Sequence, residues 1–386
     1  MFGAFLKLGL TSFGGPIAHL GYFRDELVTR RQWLSDQAYA DLVALCQFLP
    51  GPASSQVGFA LGMMRAGWMG ALAAFVAFTL PSALIQLVFA LSAASIPEPV
   101  GTGALHGLKI VAVSIVAQAV WGMARNLCPD RERGTIALGA VALLAFLPNA
   151  TGMVGAIILG ALAGLMLGRG LASSVGGHIA MQVTKRQAVI AMTVFTVLLL
   201  GLPLVATFSQ GGAVVDSFYR AGSLVFGGGH VVLPLLQAEV VEPGWVTPDQ
   251  FLAGYGAAQA VPGPLFTFAA YLGAVLGPEP NGILGATLAL LALFLPGFLL
   301  LIGALPFWDG FRAKPQAQSA MQGANAAVVG ILGAALYSPV FTSAIGNMRD
   351  FTLALACFVA LMAWKVAPWV VVVLAALGGI ALRVAA

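Results

Sequence analysis

A lysine inside an apolar segment is the first residue of this 386-residue chain that suggests chemistry. Lys109 lies between Gly107 and Trp121, and a lysine within an apolar stretch of membrane length costs a few kcal/mol by insertion scales. In one interpretation, its stem snorkels to the membrane interface. In the other, Lys109 faces the protein interior and binds an anion together with Asn325, the polar residue at the matching place of a second copy of the pattern.

Further candidates belong to a glycine- and proline-rich pattern that the chain contains twice. Matching residues of the two copies lie 212 or 213 positions apart. The first copy comprises Phe13, Gly14, Gly15, Glu26, Trp33, Gln47 and Pro50-Gly51-Pro52, and the second comprises Phe226, Gly227, Gly228, Glu239, Trp245, Gln259 and Pro262-Gly263-Pro264. Glycine and proline interrupt helices. Such breaks, repeated in both halves of an apolar chain, indicate the binding site of a transporter.

The broken segments offer an oxyanion several donors that carry no formal charge. A half-helix N-terminus exposes backbone N–H groups and carries a positive partial charge, and neighbouring hydroxyl and amide side chains are hydrogen-bond donors. The predicted substrate-binding residues are Lys109, Asn325, Ser12, Gly14, Gly15, Gly227, Gly228, Gln47, Gln259, Ser54, Ser55 and Thr267. The alternative is that the glycines and prolines only permit kinks and close helix packing. Their repetition at matching positions favours the binding site.

Acidic residues follow each broken segment. Glu26 and Glu239 correspond to each other, and they are either coupling or gating carboxylates or residues at the surface of a connector. Asp36 and Asp249 lie near the starts of short helices, and we interpret both as N-caps.

The elements that carry these residues are predicted to be membrane helices. The chain is 60% hydrophobic and 8% charged, with a mean hydropathy of +0.95, whereas about a quarter of the residues of a soluble domain are charged. We therefore predict an all-α polytopic membrane protein of about 13 spans. Its units are an N-terminal repeat (1–170), a linker with one transmembrane helix (171–210) and a C-terminal repeat (211–386).

Charge asymmetry predicts that the two repeats have opposite orientations. The connector at 24–36 contains three arginines, whereas its counterpart at 239–249 contains three carboxylates and no lysine or arginine. Positive residues are enriched on the cytoplasmic side, so equivalent loops of the two halves face opposite sides. One linker span between two even-numbered halves inverts the second half. The predicted architecture is a pair of inverted-topology repeats with broken or re-entrant helices.

Several of these stretches are specific enough to indicate a family. They are Phe13–Pro16, Arg24–Trp33 and Cys46–Gly58 in the first half, and Phe226–Gly229, Pro262–Pro264 and Gly323–Gly330 in the second. Over essentially its whole length the chain resembles the chromate ion transporter family in its long, two-domain form. The resemblance implies export of chromate, an oxyanion shaped like sulfate, across the bacterial inner membrane, and hence chromate resistance. Gly229 stands where the first copy has Pro16, so the two breaks need not share one geometry.

The expected activity is secondary transport of a tetrahedral dianion, with chromate or sulfate and the lipid bilayer as partners. Transport or exchange of sulfate or a related oxyanion is the first alternative, and an anion channel is the second, because broken half-helices also line pores. A homodimer remains open. The sequence contains no P-loop, metal-ligand cluster or nucleophile–base pair, so we expect neither an enzyme nor a cofactor, and the dispersed net charge of +4 gives no support for nucleic-acid binding.

Overall fold

The structure is a computed structural model that describes residues 1–92, 100–168, 183–226, 229–308, 310 and 314–384, without the side chains of Pro16 and Ile17. The secondary structure of these residues is helical, and no strand occurs among them. Six of the described helices are long and apolar enough to cross a membrane. The chain is therefore an all-helical, multi-pass membrane protein. The number of about 13 spans and the inverted orientation of the halves stay predictions.

The helices of the first half follow the predicted breaks. They are α1 (Phe2–Thr11), α2 (Gly15–Phe23), a π-helix (Arg24–Arg30), α3 (Asp36–Phe48), α4 (Ala53–Ser92), α5 (Val100–Leu127), α6 (Arg131–Phe146) and α7 (Ala150–Leu167). The glycine-rich break separates α1 from α2, and the first Pro-Gly-Pro motif separates α3 from α4. Within α4 the backbone leaves the helical region at Ala66 and Gly67, so α4 is a short helix followed by a long one.

The second half repeats this order after the linker helix α8 (Lys185–Ala206). Its helices are α9 (Gln210–Ser223), α10 (Val232–Val240), α11 (Pro248–Ala258), α12 (Phe268–Val275), α13 (Gly282–Ala304), α14 (Pro315–Ala335), α15 (Met348–Met362) and α16 (Pro368–Val384). Short 3₁₀ turns at Gly229–Val231 and Leu265–Thr267 lead into α10 and α12. Gly227 and Gly228, two of the predicted site residues, lie outside the described residues.

The N-caps of the two short helices are hydroxyl residues, so the prediction for Asp36 and Asp249 is wrong. Ser35 accepts a hydrogen bond from the third backbone N–H of α3, and Thr247 does the same at α11 with Gln250 completing a capping box. Each aspartate lies inside the first turn of its helix. There a carboxylate still interacts favourably with the positive end of the helix dipole.

Each half packs one helix against helices of the other half, and we call these two helices, α5 and α14, the exchanged helices. Helix α14 of the second half packs against α6 and α7 of the first, and α5 of the first half packs against α15 and α16 of the second. Small residues permit both contacts: Gly107 on α5 lies against the backbone of Ala375 on α16, and Gly323 on α14 lies against Gly160 and Gly164 on α7. The predicted sequence units are therefore intertwined in the folded protein.

The linker helix α8 is peripheral. It packs against α9 and α13, and only 11% of its most apolar window is buried. Its outward residues, including Val197, Leu200 and Leu204, are exposed and apolar. Such a surface is stable against lipid hydrocarbon, which accords with the prediction that α8 is a single span joining the two repeats.

Candidate functional site

Each Pro-Gly-Pro loop is hydrogen-bonded to the glycine-rich break of the other half. The N–H of Gly51 donates to the carbonyl of Val225 at 2.8 Å, and the N–H of Gly263 donates to the carbonyl of Ser12 at 2.8 Å. The donors match in the repeat, and so do the acceptors, so the two bonds form a reciprocal pair. We call the region of these two bonds the junction. It brings both breaks and both Pro-Gly-Pro loops to one place.

Only glycine fits at the two donor positions. Gly51 has φ +121° and Gly263 has φ +101°, which are left-handed conformations that other residues rarely adopt. A methyl group at Gly263 would lie 2.8 Å from Ser82 Oγ, and one at Gly51 would lie 2.9 Å from the Cα of Gly297. Ser82 and Gly297 match each other in the repeat, so both halves of the junction are packed in the same way.

Helix N-termini adjoin the junction. Helix α2 begins at Gly15, and the preceding Gly14 has a left-handed conformation. A methyl group at Gly15 would lie 3.8 Å from Nε2 of His230. Helix α4 begins directly after the first Pro-Gly-Pro loop, with Ser54 and Ser55 in its first turn. These starts carry free backbone N–H groups and a positive partial charge, which suit an anion.

The hydroxyl groups predicted for the site are buried. Ser12, Ser54, Ser55 and Thr267 are each at most 2% exposed. Ser54 Oγ lies 3.4 Å from Nδ1 of His19, and Thr267 donates to its own loop at Pro264. The hydroxyls of Ser12 and Ser55 have no hydrogen-bond partner within the described part of the chain. Because an unpaired buried polar group costs about 1–3 kcal/mol, both are suited to a bound water or oxyanion.

The predicted amides occupy different environments. Gln47 is exposed, whereas Nε2 of Gln259 is buried and has no partner among the residues that the structure describes. Oδ1 of Asn325 on α14 is likewise buried without a partner in those residues. Gln259 and Asn325 therefore remain candidates for ligand contacts, and Gln47 lies in the outer part of the molecule.

Lys109 lies in a cavity of about 310 Å³ and pairs with an aspartate of the other half. Its Nζ is 2.8 Å from Oδ1 of Asp249, and Lys109 is 13% exposed whereas Asp249 is 70% exposed. The residues that line this cavity are Ala90, Thr102, Leu105, His106, Lys109, Asp249, Gln250, Ala253, Tyr271, Val275 and Arg383. We call it the Lys109 cavity. That Lys109 and Asn325 share one anion stays a prediction; in the structure the ammonium group of Lys109 bonds Asp249.

Glu26 and Glu239 occupy matching ion pairs. Lys7 on α1 bonds Glu26 at 2.8 Å, and Arg220 at the matching position on α9 lies 3.5 Å from Glu239. Each pair joins a broken helix to the connector that follows it. The alternative that either glutamate is merely a surface residue loses support, because the side chains are only 7% and 11% exposed.

The two pairs differ in their electrostatics. Hydrogen bonds from Lys7 and then from Arg31 and Arg30 outweigh the cost of burial and lower the pKa of Glu26 to about 2. Burial raises the pKa of Glu239, and Arg220 offsets that only in part. Glu26 is therefore ionised at every physiological pH, and Glu239 is the member of the pair that protonates more readily.

The junction has the chemistry of an oxyanion site. It combines helix N-termini, buried unpaired hydroxyls and backbone N–H groups, and within the described ranges no group of three His, Cys, Asp or Glu side chains is placed to hold a metal. Sequence reasoning identified the glycines and serines of this region. It missed His19, Ser82 and the pairing of Lys109 with Asp249, since only the fold brings these residues to their partners.

Comparisons with known proteins agree with this chemistry. The sequence model of the Chromate transporter family matches residues 1–165 and residues 212–380. A chromate transport protein of Pseudomonas aeruginosa is 33% identical over 98% of this chain and 90% of its own length. A probable chromate transport protein of Synechococcus elongatus is 29% identical over 97% of this chain and 93% of its own. A chromate transport protein of Cupriavidus metallidurans is 29% identical over 86% of this chain and 80% of its own.

No solved structure matches the chain. The family match covers both halves, and two of these relatives match 98% and 97% of the chain. The chain therefore belongs to the chromate transporter family.

Proposed function

We propose that this protein is a secondary transporter that exports chromate across the bacterial inner membrane and so gives chromate resistance. Membership of the chromate transporter family supports chromate as the substrate. The reciprocal hydrogen bonds at the junction are the observation that supports the proposed mechanism, because they connect each Pro-Gly-Pro loop to the break of the other half. Transporters with broken helices bind their substrates at such interfaces between repeats.

The junction is proposed to hold the oxyanion through neutral donors. Ser12 and Ser55 offer unpaired hydroxyls, and the first turns of α2 and α4 offer backbone N–H groups. Chromate and sulfate are both tetrahedral dianions, and this donor set recognises charge and shape that the two ions share. Gln259 and Asn325, with their buried unpaired amide atoms, complete the proposed contacts.

Lys109 is proposed to attract the oxyanion into the Lys109 cavity. A dianion that enters competes with Asp249 for the ammonium group, and Arg383 adds positive charge at the wall of the same cavity. Asp249 is the more exposed partner and is free to move into water when it is displaced. The ion pair then acts as a gate between solvent and the interior.

Alternating access follows from the inverted orientation of the two repeats, which we propose on the charge asymmetry of their connectors. Equivalent hairpins that face opposite sides give two access routes related by the repeat. Coupling is proposed to involve Glu239, whose ion pair with Arg220 is weaker than the pair that holds Glu26.

Uptake of radiolabelled chromate into inverted membrane vesicles tests this function. We expect saturable uptake that excess sulfate inhibits, since inverted vesicles turn export into uptake. Vesicles without the protein are the control. Transport of sulfate without chromate would show that sulfate is the substrate, and flux that does not saturate would indicate a channel. Transport of neither ion would refute the proposal.

A further inference from the structure

The inward face of α4 is polar over about two turns. Thr79, Ser82 and Gln86 are each at most 2% exposed and are spaced so that they lie on one side of the helix. The residues between them at Leu80, Leu84 and Ile85 are exposed and apolar, as expected on the side that faces lipid. The three polar residues therefore lie inside the protein.

This face begins at the junction. Ser82 Oγ would lie 2.8 Å from a methyl group at Gly263, and the carbonyl of the preceding Phe78 lies on the same side of that glycine. Gly263 itself donates its N–H to Ser12. The end of the polar face that contains Ser82 is thus in contact with the proposed oxyanion site.

The same face ends at the Lys109 cavity. Ala90 follows Gln86 by one helical turn and is one of the residues that line this cavity. The neighbouring Phe89 stacks on Tyr271, which also lines it, with ring centroids 5.6 Å apart. From Thr79 to Ala90 the helix rises roughly 16 Å, so α4 connects the two regions that we propose to bind the oxyanion.

Gln86 lies between these two ends and has no partner for its amide. It is 0% exposed, and neither Nε2 nor Oε1 is hydrogen-bonded in the described ranges. The hydroxyl of Thr79 is also buried without a partner there. Buried amides are hydrogen-bonded in nearly all folded proteins. The unpaired amide of Gln86 is therefore suited to hydrogen-bond a transiently bound ligand.

The repeat shows that packing does not require this polarity. The positions of the second half that match Thr79, Ser82 and Gln86 are Phe294, Gly297 and Leu301, each 215 residues further on. Leu301 is fully buried on α13, so the architecture accepts a leucine at this place. The polar face is confined to one half of a repeated structure, which favours a role in function over a role in folding.

We infer that Gln86 contacts the transported oxyanion on an access path along α4, between the Lys109 cavity and the junction. This inference rests on the proposed function and adds to it the route and a residue that contacts the substrate on that route. The carboxamide donates Nε2–H to an oxyanion oxygen, and the unpaired hydroxyl of Thr79 provides the next donor, whereas the hydroxyl of Ser82 donates to the carbonyl of Thr79. The matching apolar face of α13 leaves the second half without an equivalent path of donors.

Substitution by leucine tests the inference, because it copies the residue of the matching position. We expect Gln86→Leu to raise the KM for chromate roughly threefold to tenfold, the effect of losing one neutral hydrogen bond. Gln86→Glu keeps the shape but places a negative charge before a dianion, and we expect it to abolish transport. Gln118→Leu, a matched change at a half-buried position on α5, is expected to leave the KM unchanged.

The outcomes separate the two proposals. An unchanged KM in Gln86→Leu, with the wild-type protein active, overturns the access path and leaves the proposed function intact. If the wild-type protein moves neither chromate nor sulfate, the proposed function fails, and thiol labelling then decides whether the path exists.

Thiol labelling provides a second test that does not depend on insertion of Gln86→Leu into the membrane. In a background carrying Cys46→Ala, Cys128→Ser and Cys357→Ala, we expect Gln86→Cys to react with a hydrophilic methanethiosulfonate and sulfate to slow the reaction. Ile85→Cys, which faces lipid, is expected not to react. A Gln86→Cys thiol that stays unmodified, while a thiol at exposed Gln47→Cys is labelled, overturns the access path.

Discussion

Lys109 shows how one side chain supports two interpretations until its partner is known. The sequence left it either at the membrane interface or facing an anion site. The structure places its ammonium group against Asp249 in a cavity that also contains Arg383. A cation that is 13% exposed and paired with a 70% exposed carboxylate keeps its own position while its partner can leave. That asymmetry supports the proposed role of Lys109 at the entry of the oxyanion.

Separate substitutions of Lys109 and Asp249 test whether their ion pair acts as a gate. Loss of a hydrogen bond from a charged group costs about 1.5–3 kcal/mol, so we expect Lys109→Gln to reduce kcat/KM for chromate roughly tenfold to hundredfold. Asp249→Asn removes the competitor of the oxyanion, and we expect its KM to equal or fall below that of the wild type. Both values come from initial rates in inverted vesicles.

The control for charge is Lys109→Arg, which preserves the cation and is expected to retain most of the activity. If Lys109→Gln and Asp249→Asn lower kcat/KM to the same extent, the ion pair holds the structure together and is not an entry gate.

Glu26 and Glu239 differ in the pH range in which each changes charge. The pKa of Glu26 is lowered from 4.5 to about 2, so the stability from its ion pairs is present above pH 4.5 and is lost as the pH falls through about 2. The pKa of Glu239 is raised by burial, so on acidification this carboxylate is neutralised at a higher pH than an ordinary glutamate. It then loses its ion pair with Arg220, which keeps its hydrogen bond to Asp216. Asp216, Glu242 and Ser217 are the other groups that act on it.

We therefore expect different effects of the two matching substitutions on the pH profile of transport. Glu239→Gln removes the acidic limb of the profile measured from about pH 5 to about pH 8. Glu26→Gln leaves the shape of the profile unchanged and lowers the free energy of unfolding by about 1–3 kcal/mol, as expected when bonds to a charged group are lost. Thermal unfolding in detergent measures the second effect. A profile unaltered in Glu239→Gln removes this residue from coupling.

At the scale of elements, close helix contacts join the two halves. Gly107 on α5 lies so near the carbonyl of Ala375 on α16 that a methyl group would overlap it, whereas a methyl group at Gly122 on the same helix meets nothing within 4 Å. We expect Gly107→Ala to lower the free energy of unfolding by about 1–3 kcal/mol, the usual cost of overpacking. Gly122→Ala is the matched control, with the stability of the wild type or slightly more.

Denaturant unfolding followed by tryptophan fluorescence measures both variants. Equal stability of Gly107→Ala and Gly122→Ala would show that the exchanged helices are not held by this contact.

Helix positions were largely predictable from the sequence, and their partners were not. Glycine, proline and charged residues interrupt the apolar stretches, so the breaks between helices follow from the sequence; α8 (Lys185–Ala206), for example, lies within the predicted linker 171–210. The exchange of α5 and α14 between halves depends on contacts between residues more than 160 positions apart, such as Gly323 with Gly160 in one direction and Gly107 with Ala375 in the other. Periodicity within one helix does not contain that information.

The two halves of the protein share their helix arrangement and several contacts, but they differ in the polar residues that line the interior. The junction, the ion pairs of Lys7 with Glu26 and of Arg220 with Glu239, and the exchanged helices obey the repeat. The polar face of α4 and the cation of the Lys109 cavity do not. A frame that is nearly symmetric allows two access states of similar energy, and unequal linings allow the substrate to be handled differently in each.

The site could be predicted where the repeat exposes it. The glycines stand out because they recur beside helix breaks, and the structure brings Gly15 close to His230 and each Pro-Gly-Pro loop to the break of the other half. Gln86 was missed although its spacing from Thr79 and Ser82 fits one helix face, because the apolar counterparts on α13 conceal it from a search for repeated residues. His19 gave no signal, since its partner Ser54 lies 35 residues away and is positioned by the fold.

We propose that the oxyanion passes through the junction, which both halves build. Chromate flux into proteoliposomes containing Gly263→Ala or Gly244→Ala tests it most directly. Both glycines have positive φ, +101° and +77°, but a methyl group at Gly263 would press on Ser82 whereas one at Gly244 meets nothing within 4 Å. We predict that Gly263→Ala lowers the initial rate at least about tenfold, about 1.4 kcal/mol in the barrier, while Gly244→Ala transports like the wild type. Equal rates in the two variants, at equal protein content, would contradict a transport site at the junction.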